Sequence, residues 1–217
     1  NDFGSNGDGS YYVVYEGFDG QPLKNSIGAG GQFSVERAAA TARQIAEALN
    51  TAHENGFIHG ELSPDSILIA NTEDAVNVKV FDFERADIGP SHRADNSLRH
   101  NVAYLAPEQF SGLSAVDARS DIYSLGIILY QMLAGEVPFT GETPTDVMLK
   151  HAEEDPPPLS EFRNDVPAAV ETVVRKALAK NPDDRYQTAA EFIDDLDKAT
   201  FAPASSGGRF WKTAAAL

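Results

Sequence analysis

From Ser120 to Leu133 the chain carries apolar residues on nearly every face of a helix. Ile122, Leu125, Ile127, Ile128, Leu129, Met132 and Leu133 leave no polar stripe for water. A helix apolar all round has to be buried by its neighbours, so this one is expected at the centre of the fold. Gly135 supplies its stop, and Pro138 follows. The other helical patterns are amphipathic. Ser34 caps one, with Glu36 in its first turn and Val35, Ala38, Ala39, Ala42, Ile45, Ala46 and Leu49 on one face. Asn55-Gly56 marks its end. Thr145 to Ala152 is a shorter helix, and Pro156-Pro157-Pro158 an extended connector. Val170, Val173, Val174, Ala177 and Leu178 mark another, ended at Asn181-Pro182. Thr188 caps the last, with Glu191 at the capping-box position and Ala189, Phe192, Ile193 and Leu196 facing inward.

Strand signals are fewer. Tyr11 to Tyr15 is a compact β-favouring run. Pro22 can open a short helix toward Ile27. Gly28-Ala29-Gly30-Gly31 reads as a breaker between helices, since a lone G-x-G without strand–helix context is a weak phosphate-loop signal. From His59 to Arg85 a polar loop leads into Ile67-Leu68-Ile69. A turn follows over Asn71 to Asp74, and then Val76, Val78 and Val80 alternate with Asn77 and Lys79. That is a hairpin whose second strand delivers Asp82 to its C-terminal end, near the loop carboxylate Glu61. Two acids so placed suit metal and phosphate chemistry; an ordinary acidic hairpin would look the same. Residues 86–103 are polar and aperiodic, and a loop that long in a small domain is usually functional or mobile.

The 217 residues suffice for one sizeable core. A formal charge of −16 argues against nucleic acid, which needs a basic footprint, and against the domain body lying on an anionic membrane. Without cysteine there is no disulfide framework and no thiolate metal site. The chain starts at Asn1 and shows no signal peptide, so it is expected to be a piece of a longer, cytoplasmic protein.

The stretch His59-Gly60-Glu61-Leu62-Ser63-Pro64-Asp65-Ser66, followed by Asp82-Phe83-Glu84, resembles the catalytic core of protein kinases, with their H-R-D-L-x-x-x-N loop and D-F-G turn. Tyr104-Leu105-Ala106-Pro107-Glu108 resembles the end of an activation segment. Asp121 matches the central-helix aspartate that holds the catalytic-loop backbone. Arg185, in Asn181-Pro182-Asp183-Asp184-Arg185, matches the arginine that pairs with the acid at Glu108. The order of elements is similar to the large lobe of a serine/threonine kinase of the bacterial, eukaryote-like type. The implied fold is α+β, predominantly α-helical: a C-terminal (large) lobe with the small lobe absent. The expected division is a lead-in over 1–10, the lobe over 11–199, and a linker over 200–217.

The resemblance also exposes departures. No lysine in the chain can be assigned to the nucleotide phosphates. The catalytic aspartate position holds Glu61, whose extra methylene displaces the carboxylate by on the order of 1 Å, a misplacement that can cost roughly 10²-fold. The loop lysine position is Ser63 and the metal-binding asparagine position is Ser66. Asp82 stands at the Mg²⁺-binding aspartate. Glu84 replaces glycine beside it, Gly60 replaces the arginine that pairs with a phosphorylated loop, and Asn101 replaces a threonine. His59, Asp121, Glu108 and Arg185 keep the architectural positions. The resemblance thus implies a pseudokinase acting through a protein partner. The alternatives are a divergent serine/threonine kinase using Mg-ATP, with its small lobe upstream, and an inert truncated scaffold. No cofactor is assigned otherwise. Arg209-Phe210-Trp211-Lys212 after a Pro/Ser/Gly linker is either the cytoplasmic flank of a membrane helix beyond Leu217 or a disordered tail.

Overall fold

The all-apolar segment is the axis of the structure. In the computed structural model, which describes residues 2–5, 11–14, 17–71, 76–83, 102–111 and 116–201, seven helices accompany two small sheets. They are α1 (Leu23–Gly30), α2 (Val35–Glu54), α3 (Glu108–Ser111), α4 (Ala118–Ala134), α5 (Pro144–Glu153), α6 (Ala168–Ala177) and α7 (Ala189–Phe201). Every residue of α4 from Ser120 to Ala134 except Gln131 is buried. Asp117 caps its start by accepting from the Arg119 N–H, and Gly135 ends it in the left-handed region. Helix α2 packs on α4 and α7, and α6 lies against both α4 and α7.

The α4–α6 approach depends on Gly126. A Cβ there would lie 2.9 Å from the Ala177 Cβ and 3.0 Å from Leu178 Cδ2. The core continuous with this contact includes Ile45, Leu49, Ile122, Leu129, Val174 and Phe192.

Three strands, β3 (Gln21–Pro22), β4 (Ile67–Asn71) and β5 (Val76–Val80), form an antiparallel sheet in that order. The expected hairpin is its β4–β5 pair, with Ile67 opposite Val80 and Ile69 opposite Val78. Its open edge is met by a side chain. Gln44 of α2 donates to Val76 O at 2.5 Å and accepts from Val78 N at 3.0 Å, a substitute for a neighbouring strand.

Three expectations are corrected. Within 1–10, β1 (Asp2–Ser5) is a strand and not a lead-in. It pairs antiparallel with β2 (Tyr11–Val14), Phe3 opposite Val13; ladder bonding to a β-favouring neighbour overrides weak local propensity. The glycine-rich breaker falls later than expected, because α1 runs through Gly30 and stops at Gly31, whose φ is +69°. Helix α7 runs through Phe201, so the linker does not begin at residue 200; Thr200 still bonds back to Leu196 O at 2.9 Å. The turn at 72–74, Glu84, most of the 86–103 loop including Asn101, and the tail beyond 201 lie outside the described residues.

Candidate active site

The His59–Ser66 loop is held from below by Asp121, a buried carboxylate in the first turn of α4. Its Oδ2 accepts from His59 N at 2.8 Å, and its Oδ1 accepts from Gly60 N at 2.7 Å. A third donor, His53 Nε2 at the end of α2, lies 2.8 Å from Oδ2. A buried charge is tolerable only when hydrogen-bonded in this way. Gly60 has φ +74°, so the glycine allows the loop to turn there at no steric cost, where another residue would be strained. On the far side, Gln109 donates to Gly60 O at 2.5 Å and accepts from Ala106 N at 2.8 Å. It joins the loop to the segment ending at Glu108.

The imidazole of His59 ties this loop to the end of β5. Nε2 donates to Phe81 O at 3.0 Å, so Nδ1 is left as an acceptor, facing the Glu61 N–H at 3.4 Å. Burial pushes the His59 pKa down, against the opposing pull of Asp121, which agrees with a neutral ring in this tautomer. The ring also packs on Phe83, with centroids 5.1 Å apart. Phe81 N in turn donates to Ser66 O at 3.0 Å. Asp82, between Phe81 and Phe83, is the one non-glycine residue with positive φ, +68°, among the described residues. A carboxylate held in that region costs of order 1 kcal/mol, a form of strain that clusters at functional sites.

Ser63 and Ser66 are both buried and are turned toward each other. The Ser66 hydroxyl donates to Ser63 O at 3.0 Å and accepts from Ser63 N at 3.2 Å, and the Ser66 N–H donates to Ser63 O at 3.0 Å. The pair forms a capping box around the turn Pro64–Ser66. The Ser66 hydroxyl proton, which a phosphate would use, and one of its lone pairs, which a cation would use, are thus engaged by the loop's own backbone. Asp65, exposed between them, is ion-paired with Lys24 of α1. Among the described residues no three His, Asp or Glu side chains are grouped so as to hold a metal. A Ser66 hydroxyl so engaged is a poor fit to a second Mg²⁺.

Farther out, Glu108 and Arg185 meet fork to fork at 2.7 and 2.8 Å, with no exposure of the Arg185 side chain and 8% of that of Glu108. Burial alone would raise the Glu108 pKa. Hydrogen bonds from Arg185 and Ser120 outweigh it and hold the carboxyl below its ordinary value.

His53 and Gln109 were missed by sequence reasoning. His53 reads only as a polar residue in the last turn of a helix, and Gln109 as the residue after a motif. Their partners, Asp121 and Gly60, are distant in sequence. Among the described residues no helix is long and apolar enough to cross a membrane.

Comparison with known proteins agrees with this frame. The family model described as protein kinase domain matches residues 4–195. Serine/threonine-protein kinase PknB of Mycobacterium tuberculosis is 44% identical over 187 residues, covering 85% of this chain and 30% of that protein. A probable serine/threonine-protein kinase of Clostridium acetobutylicum is 36% identical over 195 residues, covering 90% of this chain and 29% of that protein. The chain thus spans under a third of the length of these curated relatives. Among solved structures, the Rad53 kinase domain with SCD2 and AMPPNP superposes with a TM-score of 0.70 at 28% identity, over 91% of this chain and 72% of that one. The PknI kinase domain of Mycobacterium tuberculosis gives 0.62 at 27%, over 83% and 63%. With a family model spanning most of its length and a helical fold shared with solved kinase domains, this chain belongs to the protein kinase family and is homologous to bacterial serine/threonine kinases.

Proposed function

We propose that this domain is a pseudokinase, a kinase fold that acts as a cytoplasmic protein-interaction or regulatory module in signalling. One observation carries the reading: Ser63 and Ser66 stand where the loop lysine and metal-binding asparagine are expected, and the Ser66 hydroxyl closes on the Ser63 backbone. Phosphoryl transfer depends on positioned cations and charge stabilisation. A loop whose polar groups are satisfied internally offers little of either. Glu61 in place of aspartate supports the same conclusion through misplacement. The architectural contacts of Asp121 and the Glu108–Arg185 pair favour retention of the fold apart from its chemistry.

A second reading has its own support. The left-handed backbone of Asp82 is strain of the kind kept at working sites, and it favours a residual Mg-ATP site in a divergent serine/threonine kinase. The two readings separate in one experiment on the longest protein containing this chain. Calorimetry with Mg-ATP, followed by a radiolabelled phosphotransfer assay, is expected to give no transfer above an Asp82→Ala control. Transfer that is abolished by both Asp82→Ala and Glu61→Ala would establish the enzyme instead.

A further inference from the structure

Gly60 is gripped at both ends. Its N–H is held by Asp121 from α4, and its carbonyl accepts from Gln109 at the start of α3. Gly60 and Ala106 are both buried, so their backbone polar groups need partners within the protein. One side-chain amide serves both. Gln109 Nε2 donates to Gly60 O at 2.5 Å, and Gln109 Oε1 accepts from Ala106 N at 2.8 Å. A carbonyl can only accept and an N–H can only donate, which fixes the orientation of the amide. The backbone of Gln109 is itself anchored. Its N–H donates to Ala106 O at 3.0 Å, and the residue before it, Glu108, is forked to the buried Arg185. The turn at Gly60 is thus suspended between two buried anchors, Asp121 on one side and the Glu108–Arg185 pair on the other.

We infer that Gln109 is a positioning residue, an uncharged crossbar that sets the loop at Gly60 against the segment ending at Glu108. Gly60 stands where the resemblance places an arginine that pairs with a phosphorylated loop. Such a link is made of charges, so salt screens it and removal of the phosphate breaks it. The crossbar has neither weakness. Its two hydrogen bonds are neutral and join buried backbone groups, which ionic strength hardly touches. Residues 102–106 and the Gly60 turn therefore keep one relative placement whatever charge the segment carries. The inference holds whether or not the loop transfers phosphate, so its failure would leave the pseudokinase reading untouched.

Hydrogen exchange of single amides in the full chain, corrected for the intrinsic rate, tests it. Gln109→Glu is the discriminating variant, because it is nearly isosteric and exchanges the donor head for a second acceptor. At neutral pH its carboxylate faces Gly60 O and cannot donate. Protection of the Gly60 amide should fall about tenfold, the worth of one good hydrogen bond. When a lower pH protonates the new carboxyl, its O–H can donate to Gly60 O while its C=O accepts from Ala106 N, and the lost protection should return. Gln109→Met loses both bonds and should lose protection at Gly60 and Ala106 at every pH. The wild type at the same pH values is the reference for the native acids around the turn, Glu61, Asp82, Glu108 and Asp121. Its own protection at the two amides should be the same at about 0.1 and about 1 M salt, a measurement that needs no variant to fold. Unchanged protection in Gln109→Met, no recovery at low pH in Gln109→Glu, or a wild type that loses protection in high salt or after phosphatase treatment would overturn the inference.

Discussion

Replacing Arg185 with methionine keeps most of the side-chain volume and removes the guanidinium. Glu108 then keeps the hydrogen bond from Ser120 Oγ, at 2.6 Å, and one from its own backbone, and its charge is left buried without the Arg185 counter-ion. The carbonyls of Ala179, Lys180 and Arg119, which accept from Arg185 at 2.7, 2.9 and 3.2 Å, lose a donor as well. Breaking a buried pair from one side costs about 3–5 kcal/mol, and for a domain of this size that lowers Tm by about 10 °C. Urea unfolding followed by circular dichroism measures it. The double variant Glu108→Gln with Arg185→Met removes the stranded charge, so its loss should fall short of the sum of the singles by about 1–3 kcal/mol. The pH dependence follows from the same geometry. In the wild type the folded pKa of Glu108 is depressed, so its contribution is present above the unfolded carboxyl pKa, about 4.3, and is lost as pH falls through the folded value. In Arg185→Met the burial is no longer outweighed and the folded pKa moves up. The penalty should then shrink as the pH is lowered from 7 and the stranded carboxyl takes up a proton. A loss below about 1 kcal/mol at pH 7, or one that does not change with pH, would refute the reasoning.

Gly126→Ala places a methyl 2.9 Å from the Ala177 Cβ, and the α4–α6 contact should lose about 1–3 kcal/mol of stability in urea. Asp121→Ala strands the amides of His59 and Gly60 together with His53 Nε2. A cost of about 3 kcal/mol or more is expected, with faster hydrogen exchange at the two loop amides. Gly60→Arg restores the residue expected from the family but places it at φ +74°, so thermal unfolding should show a loss of about 1–2 kcal/mol. His151 is buried, with its Nδ1 2.8 Å from the Tyr123 hydroxyl. Burial and the nearby Lys180 push its pKa down to about 4. The unfolded chain therefore binds the extra proton between about pH 6.5 and 4, and stability should fall across that window as pH is lowered; His151→Phe should flatten the part of the curve due to this residue.

The sequence made the large elements visible because burial periodicity and caps are local. Ser120 to Leu133 had no face to give to water, Ser34 and Thr188 announced their helices, and the valine alternation at 76–80 announced a strand. It misled where a partner overrode local preference, as at Asp2–Ser5, whose turn-rich composition hides a strand paired with Tyr11–Val14. At the site the motif spelling located Glu61, Ser63, Ser66 and Asp82, but residue identity cannot say where a hydroxyl points. Read as substitutions, Ser63 and Ser66 are a lost cation and a shorter metal ligand, each open to partial rescue by water. Seen as a capping box they are a single closed unit, in which the Ser66 hydroxyl satisfies the Ser63 backbone. Restoring one position alone therefore disturbs the turn before it restores any chemistry. Ser66→Asn removes the hydroxyl that bridges Ser63 N and O, while leaving Ser63 without the charge of lysine. Under the pseudokinase reading proposed above, both positions have to change together before the loop offers a cation and an asparagine.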